Sequence, residues 1–395
     1  MNLYLIVFLL LAVDALAEIR QPKLERWLYP VCWGFVTMLL VFRFGQGTDY
    51  VTYHAIYETI PPAIDWPSGY ICGYYPEIGW RLLSAGFKLL QIPFWGFCMV
   101  LGAADMLLIH RFLKNYVPWK VAGLFFSYPV LIFVYLVSGL RQGLAICIFL
   151  GLALPFYLER KWIPYVASVL LAASFHKVGY AWLILVPAAY FPVKLVFLGV
   201  GLSAAGGLLL QIPWMEQMLT GLIPVYHVRQ FLLEGNLSLF AVGERLASFA
   251  VIAFLYVRRE KQEEDHEKEQ VLKAYLCGVC FYLLLCGNAY YASRYAVIFK
   301  VLECVLIVWL LEGRDRLAKL AAVYFFGLTL LMGVKNLQAA AEEGGYTRQE
   351  VNAFNYPYVS IFWKERINDY YDYTERLNEK YEILVEDQML WMIEQ

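Results

Sequence analysis

Long apolar runs, separated by short charged or glycine-containing breaks, make up most of this chain. Several runs approach the roughly 20 residues that an α-helix needs to cross the hydrocarbon core of a bilayer. The pattern predicts an all-α, polytopic transmembrane helical bundle of about twelve spans in residues 1–334, followed by a polar tail in residues 335–395. The predicted spans are residues 1–17, 27–42, 93–109, 121–137, 143–158, 193–210, 239–257, 271–285, 295–311 and 320–334, with two short passes in 162–191.

Two segments depart from the simple pattern. Residues 76–91 have apolar positions at helical spacing that are interrupted by Glu77, Arg81 and Lys88, which predicts an interfacial or re-entrant helix. Residues 162–191 are mostly apolar but contain His176-Lys177 near the middle. As one span they would place the charged run 258–270 outside the cell, whereas two short helices hinged at His176-Lys177 keep it inside. The hinged pair is the favoured interpretation, because such a break is tolerated where it lines a polar cavity.

Basic residues beside the spans set the predicted orientation, since cytoplasmic loops carry an excess of Lys and Arg. The basic segments 20–26, 110–120 and 160–161 are predicted inside. Loops 45–75 and 211–238 are then external, and so is the tail. Residues 370–380 of the tail predict a short amphipathic helix against the membrane.

Composition agrees with a membrane protein and narrows its partners. The chain is 61% hydrophobic and 16% charged, with a formal net charge of −1. A near-neutral balance argues against a nucleic-acid partner. Most of the eight cysteines lie inside apolar runs and form no disulfide framework, and the pair Cys277 and Cys280 is interpreted as helix packing. No metal and no cofactor are predicted.

A set of polar residues maps to the outer ends of the predicted helices. Arginine is costly at membrane depth and marks a pathway or a site, and the positive-inside bias should deplete this side of basic groups. Guanidinium groups hold phosphate oxygens bidentately, so the set favours a lipid-linked phosphate or diphosphate as ligand. The set comprises Arg43, Asp49, Arg141, Gln142, His176, Lys177 and Arg294, with Tyr50 and Tyr53 as stacking faces for sugars or as part of an interfacial aromatic belt.

Simpler interpretations of three of these residues stay open. Arg43 would also suit a residue whose charged end reaches the membrane interface. His176 would suit a hydrogen-bonded core group at a helix break. Asp49 would suit the N-cap of a short helix that begins at Tyr50.

Three motifs and the chain ending resemble the EpsG-like branch of the Wzy-type polysaccharide polymerases. They are Arg-x-x-x-Gly-Thr-Asp-Tyr-x-x-Tyr at 43–53, Ser-x-x-Arg-Gln-x-x-Ala at 138–145, Ala-Ser-Phe-His at 173–176, and Tyr-Pro-Tyr at 356–358. The resemblance covers most of the chain in order and implies a GT-C-like fold in a bacterial cell (inner) membrane. The site would face the periplasmic or extracellular side.

The activity that this resemblance implies is polymerisation of an undecaprenyl-diphosphate-linked oligosaccharide. The growing chain would move from its lipid diphosphate to the non-reducing-end hydroxyl of a new lipid-linked unit. The implied partners are these glycans and membrane lipids, with a chain-length regulator and a flippase. The alternatives are a flippase or transporter of the same lipid-linked unit, and a ligase that moves the glycan to another acceptor.

Site roles follow from that chemistry. Arg141 and Arg294 are expected on the diphosphate, and Arg43 on the diphosphate or the sugar. Gln142, Lys177, Tyr50 and Tyr53 are expected to bind substrate. His176 and Asp49 compete for the part of general base: histidine has the more suitable ordinary pKa, whereas the aspartate would need burial.

Overall fold

The computed structural model describes residues 2–60, 77–212, 237–259, 266–312 and 316–394, and within these ranges it contains helices and no strand. The α-helices are α1 (Leu3–Arg20), α2 (Glu25–Val41), α3 (Tyr50–Thr59), α4 (Ile78–Leu89), α5 (Phe94–Tyr116), α6 (Lys120–Ser127), α7 (Leu140–Ile148), α8 (Leu154–Leu158), α9 (Trp162–Ala173), α10 (Leu185–Ala188), α11 (Val193–Leu209), α12 (Leu239–Arg259), α13 (His266–Leu284), α14 (Ala289–Val301), α15 (Glu303–Leu311), α16 (Arg316–Glu343) and α17 (Tyr373–Glu394). Two π-helical stretches, Tyr128–Leu136 and Phe149–Ala153, continue α6 and join α7 to α8. Short 3₁₀ helices form at Pro22–Leu24, Lys177–Ile184 and Ile361–Asp369.

The helices have the length and composition of a membrane protein. Within the described ranges, four helical segments are long and apolar enough to cross a bilayer, namely Phe94–Tyr116, Leu140–Leu158, Leu239–Arg258 and Arg316–Glu343. Shorter apolar helices accompany them at Lys120–Leu136, Trp162–Ala173, Lys177–Ala188 and Val193–Leu209. Outward-facing apolar side chains on α1, such as Leu9, Leu10 and Val13, are exposed in the isolated chain, as expected of a surface that meets lipid.

Two predicted helix boundaries are corrected. The last span was predicted to end at Val334, but α16 continues to Glu343. Its polar continuation is anchored, because the Asn336 side-chain amide donates to the Pro129 carbonyl at 2.8 Å. The span predicted at 295–311 is interrupted at Leu302, which separates α14 from α15.

The chain forms two compact units. The first comprises Met1–Ala153, Ala167–Gly179 and Gly327–Gln395. In this unit α1 packs on α6 and α2, and α2 packs on α5. The Phe8 ring stacks on Phe125 and Tyr128, with centroids 5.4 and 5.2 Å away. All three rings are almost fully buried, so aromatic packing forms the centre of this unit.

The second unit comprises Leu154–Val166 and Tyr180–Phe326. Here α13 packs against both α11 and α14. Glycines permit this close approach, because a Cβ on Gly207 would meet the Leu283 carbonyl and one on Gly278 would meet the Phe299 ring. Helix α15 is buried along its whole length, as expected of a helix that is apolar on all sides.

The predicted break in residues 162–191 is confirmed. Helix α9 ends at Ala173, and a 3₁₀ helix follows from Lys177. Before and after the break the chain contacts itself: Tyr165 donates to the Trp182 carbonyl at 2.6 Å, and Trp162 donates to the Tyr190 hydroxyl at 2.5 Å. Residues 162–165 on one side of the break therefore lie next to residues 182–190 on the other side.

Candidate functional site

The segment that follows α2 is held in shape by the C-terminal tail. The Phe44 amide donates to the Val359 carbonyl at 2.8 Å, and the Ile361 amide donates to the Phe42 carbonyl at 2.9 Å. These bonds form an isolated antiparallel bridge between Arg43 and Ser360. The start of the 43–53 motif is therefore in direct contact with residues 359–361 of the tail.

Arg43 is buried and bound to backbone. Its guanidinium Nη1 donates to the Leu40 carbonyl at 2.6 Å, and Nη2 donates to the Leu136 carbonyl at 2.8 Å. The residue is 1% exposed, so the interpretation as a side chain that reaches the interface is wrong. These two carbonyl oxygens satisfy part of the hydrogen-bonding capacity of the guanidinium. Arg43 thus ties the end of α2 to the end of the Tyr128–Leu136 helix, which favours a scaffolding role.

Gln46 adds a second internal tie. Its side-chain amide donates to the carbonyls of Phe44 and Val359, and its side-chain oxygen accepts from the Tyr4 hydroxyl at 3.0 Å. Gln46 is fully buried. No sequence signal indicated this role, because the partners of Gln46 are mostly backbone carbonyls.

Gly47 fixes the turn that leads into α3. Its φ is +105°, and a Cβ there would lie 2.5 Å from the Val137 carbonyl oxygen. We expect Gly47→Ala to destabilise the protein by about 1–3 kcal/mol, because a side chain adds strain in this conformation. The melting temperature of the variant in detergent should be a few degrees lower than that of the wild type. Gly34→Ala, which meets nothing within 4 Å inside α2, is the control and should not lower the melt. An unchanged melt for Gly47→Ala would contradict the turn assignment.

Helix α3 begins at Tyr50, as the simpler interpretation of Asp49 predicted. Asp49 occupies the N-cap position before Tyr50, although its carboxylate makes no capping hydrogen bond. The preceding Thr48 amide donates to the Ser138 hydroxyl at 3.1 Å, which joins the 43–53 motif to the 138–145 motif. Tyr50 is buried against Phe94, with ring centroids 5.1 Å apart. The proton-accepting role of Asp49 stays a prediction.

Helix α17 of the tail packs along α3. The Tyr373 hydroxyl and His54 Nδ1 are 2.7 Å apart, and the Tyr371 hydroxyl donates to the Gly45 carbonyl at 2.8 Å. Burial lowers the pKa of His54, while the neighbouring Glu58 charge acts to raise it. The helix predicted at 370–380 is observed at Tyr373–Glu394, where it contacts α3, and its Arg376 donates to the Gly344 carbonyl.

Arg141 is at the centre of the predicted constellation. It is 8% exposed at the start of α7, and its Nη1 forms an ion pair with Glu77 Oε2 at 2.5 Å. The guanidinium carbon lies 5.9 Å from the Tyr53 ring centroid, within the range of a cation–π contact. Gln142, the next residue, is also buried. Arg141 therefore joins the 43–53 motif to the beginning of α4.

The break at residues 174–176 completes this cluster. The Gly79 amide at the start of α4 donates to the Ser174 carbonyl at 2.7 Å. The second carboxylate oxygen of Glu77 accepts from the Lys177 amide at 3.4 Å. The Lys177 side chain is exposed. The structure thus brings the turn next to Arg141, with Glu77 as the residue between them.

His176 is buried within this turn. It is 6% exposed, and its Nδ1 accepts from the Val178 amide at 3.4 Å. Its carbonyl accepts from the Gly179 amide at 2.9 Å. These contacts fit the simpler interpretation of a hydrogen-bonded group at a helix break, and its part as general base stays a prediction.

Arg294 belongs to the second unit. It lies in α14, and its guanidinium carbon is 3.8 Å from the Tyr290 ring centroid. Its expected contact with a diphosphate stays a prediction.

A buried charge cluster in the second unit was not foreseen from the sequence. Lys300 Nζ pairs with Glu244 and, at 3.3 Å, with Glu303. Tyr275 donates to Glu303 at 3.1 Å, and Ser248 donates to Glu244 at 3.4 Å. These contacts link α12, α13, α14 and α15 through satisfied polar groups, so the cluster fastens the unit.

The cluster in the first unit contains a group that can bind an anion and a group that can accept a proton. A buried guanidinium, a buried carboxylate and an aromatic face lie together at Arg141, Glu77 and Tyr53. Glu77 was not assigned from the sequence, since nothing there indicates which acid pairs with Arg141. Among the described residues, no group of three or more His, Cys, Asp or Glu side chains would hold a metal ion.

Comparison with known proteins gives one match. The sequence model of the EpsG family matches residues 26–360. This range contains the three motifs and the Tyr356–Tyr358 segment. No curated protein and no solved structure matches the chain.

Proposed function

Because the chain belongs to the EpsG family, whose members are Wzy-type polysaccharide polymerase-like membrane proteins, we propose that it polymerises undecaprenyl-diphosphate-linked oligosaccharide units. The enzyme is a glycosyltransferase of a bacterial cell (inner) membrane, with its site facing the periplasmic or extracellular side. About twelve membrane passes in a GT-C-like arrangement carry that site. Membrane lipids surround it, and a flippase and a chain-length regulator act before and beside it.

The observation that supports this proposal is the position of Arg141. A buried guanidinium is contacted by residues from the 43–53 motif and from the start of α4, beside the 174–177 turn. A guanidinium holds phosphate oxygens through paired hydrogen bonds and keeps its charge at every physiological pH. Buried next to an aromatic ring, it suits a phosphate-linked sugar better than a neutral solute.

The reaction needs two forms of assistance. The acceptor hydroxyl attacks the anomeric carbon of the growing chain, and the bond from that carbon to the lipid diphosphate breaks. Negative charge then develops on the departing diphosphate, where Arg141 stabilises it. Gln142 and Lys177 are proposed as further polar contacts of the substrate, and the role of Arg294 on the diphosphate stays a prediction.

The remaining motif residues support the site. Arg43 and Gln46 hold the turn to the tail and to Leu136, which keeps Tyr50 and Tyr53 in place. Tyr53 then offers an aromatic face beside Arg141 on which a sugar ring can stack. This division of roles puts Arg43 behind the site, in contrast to its expected place on the diphosphate or the sugar.

A purified reaction tests the proposal. The full-length protein in detergent is mixed with lipid-linked repeat units, and the products are separated by size. In detergent no membrane separates two compartments, so transport across a membrane cannot be observed. A polymerase still extends the glycan and releases undecaprenyl diphosphate. A flippase produces no new glycan under these conditions. A ligase produces no ladder until another acceptor is added. Absence of extension by well-folded protein would overturn the proposal.

A further inference from the structure

Resting on this proposed function, we propose that Glu77 is the general base of the transfer reaction, held inactive by Arg141 until the diphosphate takes over that guanidinium. The Glu77 carboxylate is shared between Arg141 Nη1 at 2.5 Å and the Lys177 amide at 3.4 Å. The side chain of Glu77 is 6% exposed and that of Arg141 is 10% exposed. Each group therefore depends on the other for its charge balance.

The arriving substrate changes that balance. A lipid diphosphate carries negative charge and competes with the Glu77 carboxylate for the same nitrogen atoms of Arg141. Two negative charges near one guanidinium repel each other strongly where water is scarce. The repulsion is relieved when one of the two acids takes up a proton. The diphosphate is the leaving group and must stay ionised, so Glu77 is the group that accepts the proton.

The acceptor hydroxyl supplies this proton. Its oxygen forms a bond to the anomeric carbon, and the electron pair of the breaking bond stays on the diphosphate oxygen. The hydroxyl proton passes to Glu77, which afterwards releases it to water. A guanidinium opposes protonation of a neighbouring carboxylate, so movement of Arg141 to the diphosphate makes Glu77 available as a base when the hydroxyl reacts.

The geometry favours Glu77 over the two bases predicted from the sequence. Glu77 is the acid that contacts the proposed diphosphate-binding arginine. Asp49, in contrast, lies at the N-cap position of α3. One ring nitrogen of His176, Nδ1, already accepts a hydrogen bond from the Val178 amide. Glu77 also precedes α4 directly and binds the Lys177 amide, so its carboxylate is fixed from two sides.

The test separates binding from transfer. Purified full-length Glu77→Gln protein is compared with wild type for binding of undecaprenyl diphosphate and for the rate of glycan extension. Glutamine keeps the size and an acceptor for the Lys177 amide but loses the charge. We expect binding to be roughly tenfold tighter, because a competing negative charge is gone. We expect the extension rate at saturating substrate to fall by about 10²-fold or more, as for loss of a general base.

Controls separate chemistry from folding. Glu58→Gln, which alters an acid on the neighbouring α3 that pairs with Lys88, should keep the wild-type rate. If Glu77→Gln melts early, Glu77→Asp is used, and a partial recovery of rate supports the carboxylate's role. Normal extension by Glu77→Gln, or equal loss of binding and rate, would overturn the assignment of Glu77. If the wild-type protein itself fails to extend glycan, the proposed function fails instead.

Discussion

We expect Arg141→Ala to abolish long polymer while the protein remains in the membrane and single repeat units accumulate on the lipid. Arg141 is a buried cation of the cluster, and its removal takes away the positive charge that stabilises the departing diphosphate. Removing one preorganised donor from such a site lowers the rate by about 10²–10³-fold. Polymer length on gels of extracted glycan, together with the extension rate of the purified variant, measures the effect.

Three variants accompany this experiment. Arg141→Lys keeps the charge but loses the planar, two-point grip, and it should recover only part of the rate. Arg141→Ala combined with Glu77→Gln avoids leaving a buried carboxylate without its partner, so it should melt later than Arg141→Ala and stay inactive. Arg348→Ala removes an exposed ion pair with Asp372 and should behave as wild type. Normal chain lengths with Arg141→Ala would remove the diphosphate role from this residue.

The largest stability effect is expected for Lys300→Met. Lys300 neutralises Glu244 and Glu303, and all three side chains are under a tenth exposed. Removing one partner of a buried ion pair costs about 3–5 kcal/mol, because the buried carboxylates are then faced by less positive charge. Arg245, 3.6 Å from Glu244, offsets part of this loss. We expect the melting temperature in detergent to fall on the order of 10 °C.

A double variant tests the cause of that loss. Lys300→Met with Glu244→Gln removes one of the uncompensated charges and should recover part of the stability. Lys319→Met changes an exposed lysine on α16. It should leave the free energy of unfolding within about 0.5 kcal/mol of the wild-type value. A melt of Lys300→Met equal to that of the Lys319→Met control would show that the cluster does not fasten the unit.

Apolar periodicity predicted the helices well, and the break at His176-Lys177 was also correctly predicted. Both rest on local signals: a polar pair in the middle of an apolar run has no lipid-compatible place in one continuous helix. The predicted span ended at Val334, whereas helix α16 continues to Glu343 and its Asn336 side chain donates to the Pro129 carbonyl. A backbone acceptor more than two hundred positions away leaves no trace in the local pattern.

The site was predictable by residue type but not by pairing. Arg141 drew attention because a charge next to an apolar run needs a partner, yet the sequence offered several acids, and Glu77 was identified only by contact. Arg43 was equally conspicuous, but its partners are carbonyl oxygens of Leu40 and Leu136, which every residue carries. Interactions with backbone are therefore the part of the site that residue types conceal.

The bridge between Arg43 and Ser360 has a consequence for biosynthesis. Residues 359–373 are synthesised after helices α1–α16, yet they support a turn near the start of the chain. A nascent or prematurely terminated protein can insert all its helices and still lack a finished turn. The turn at 43–53 can therefore take its final form only once residues 359–373 have been synthesised and have reached it.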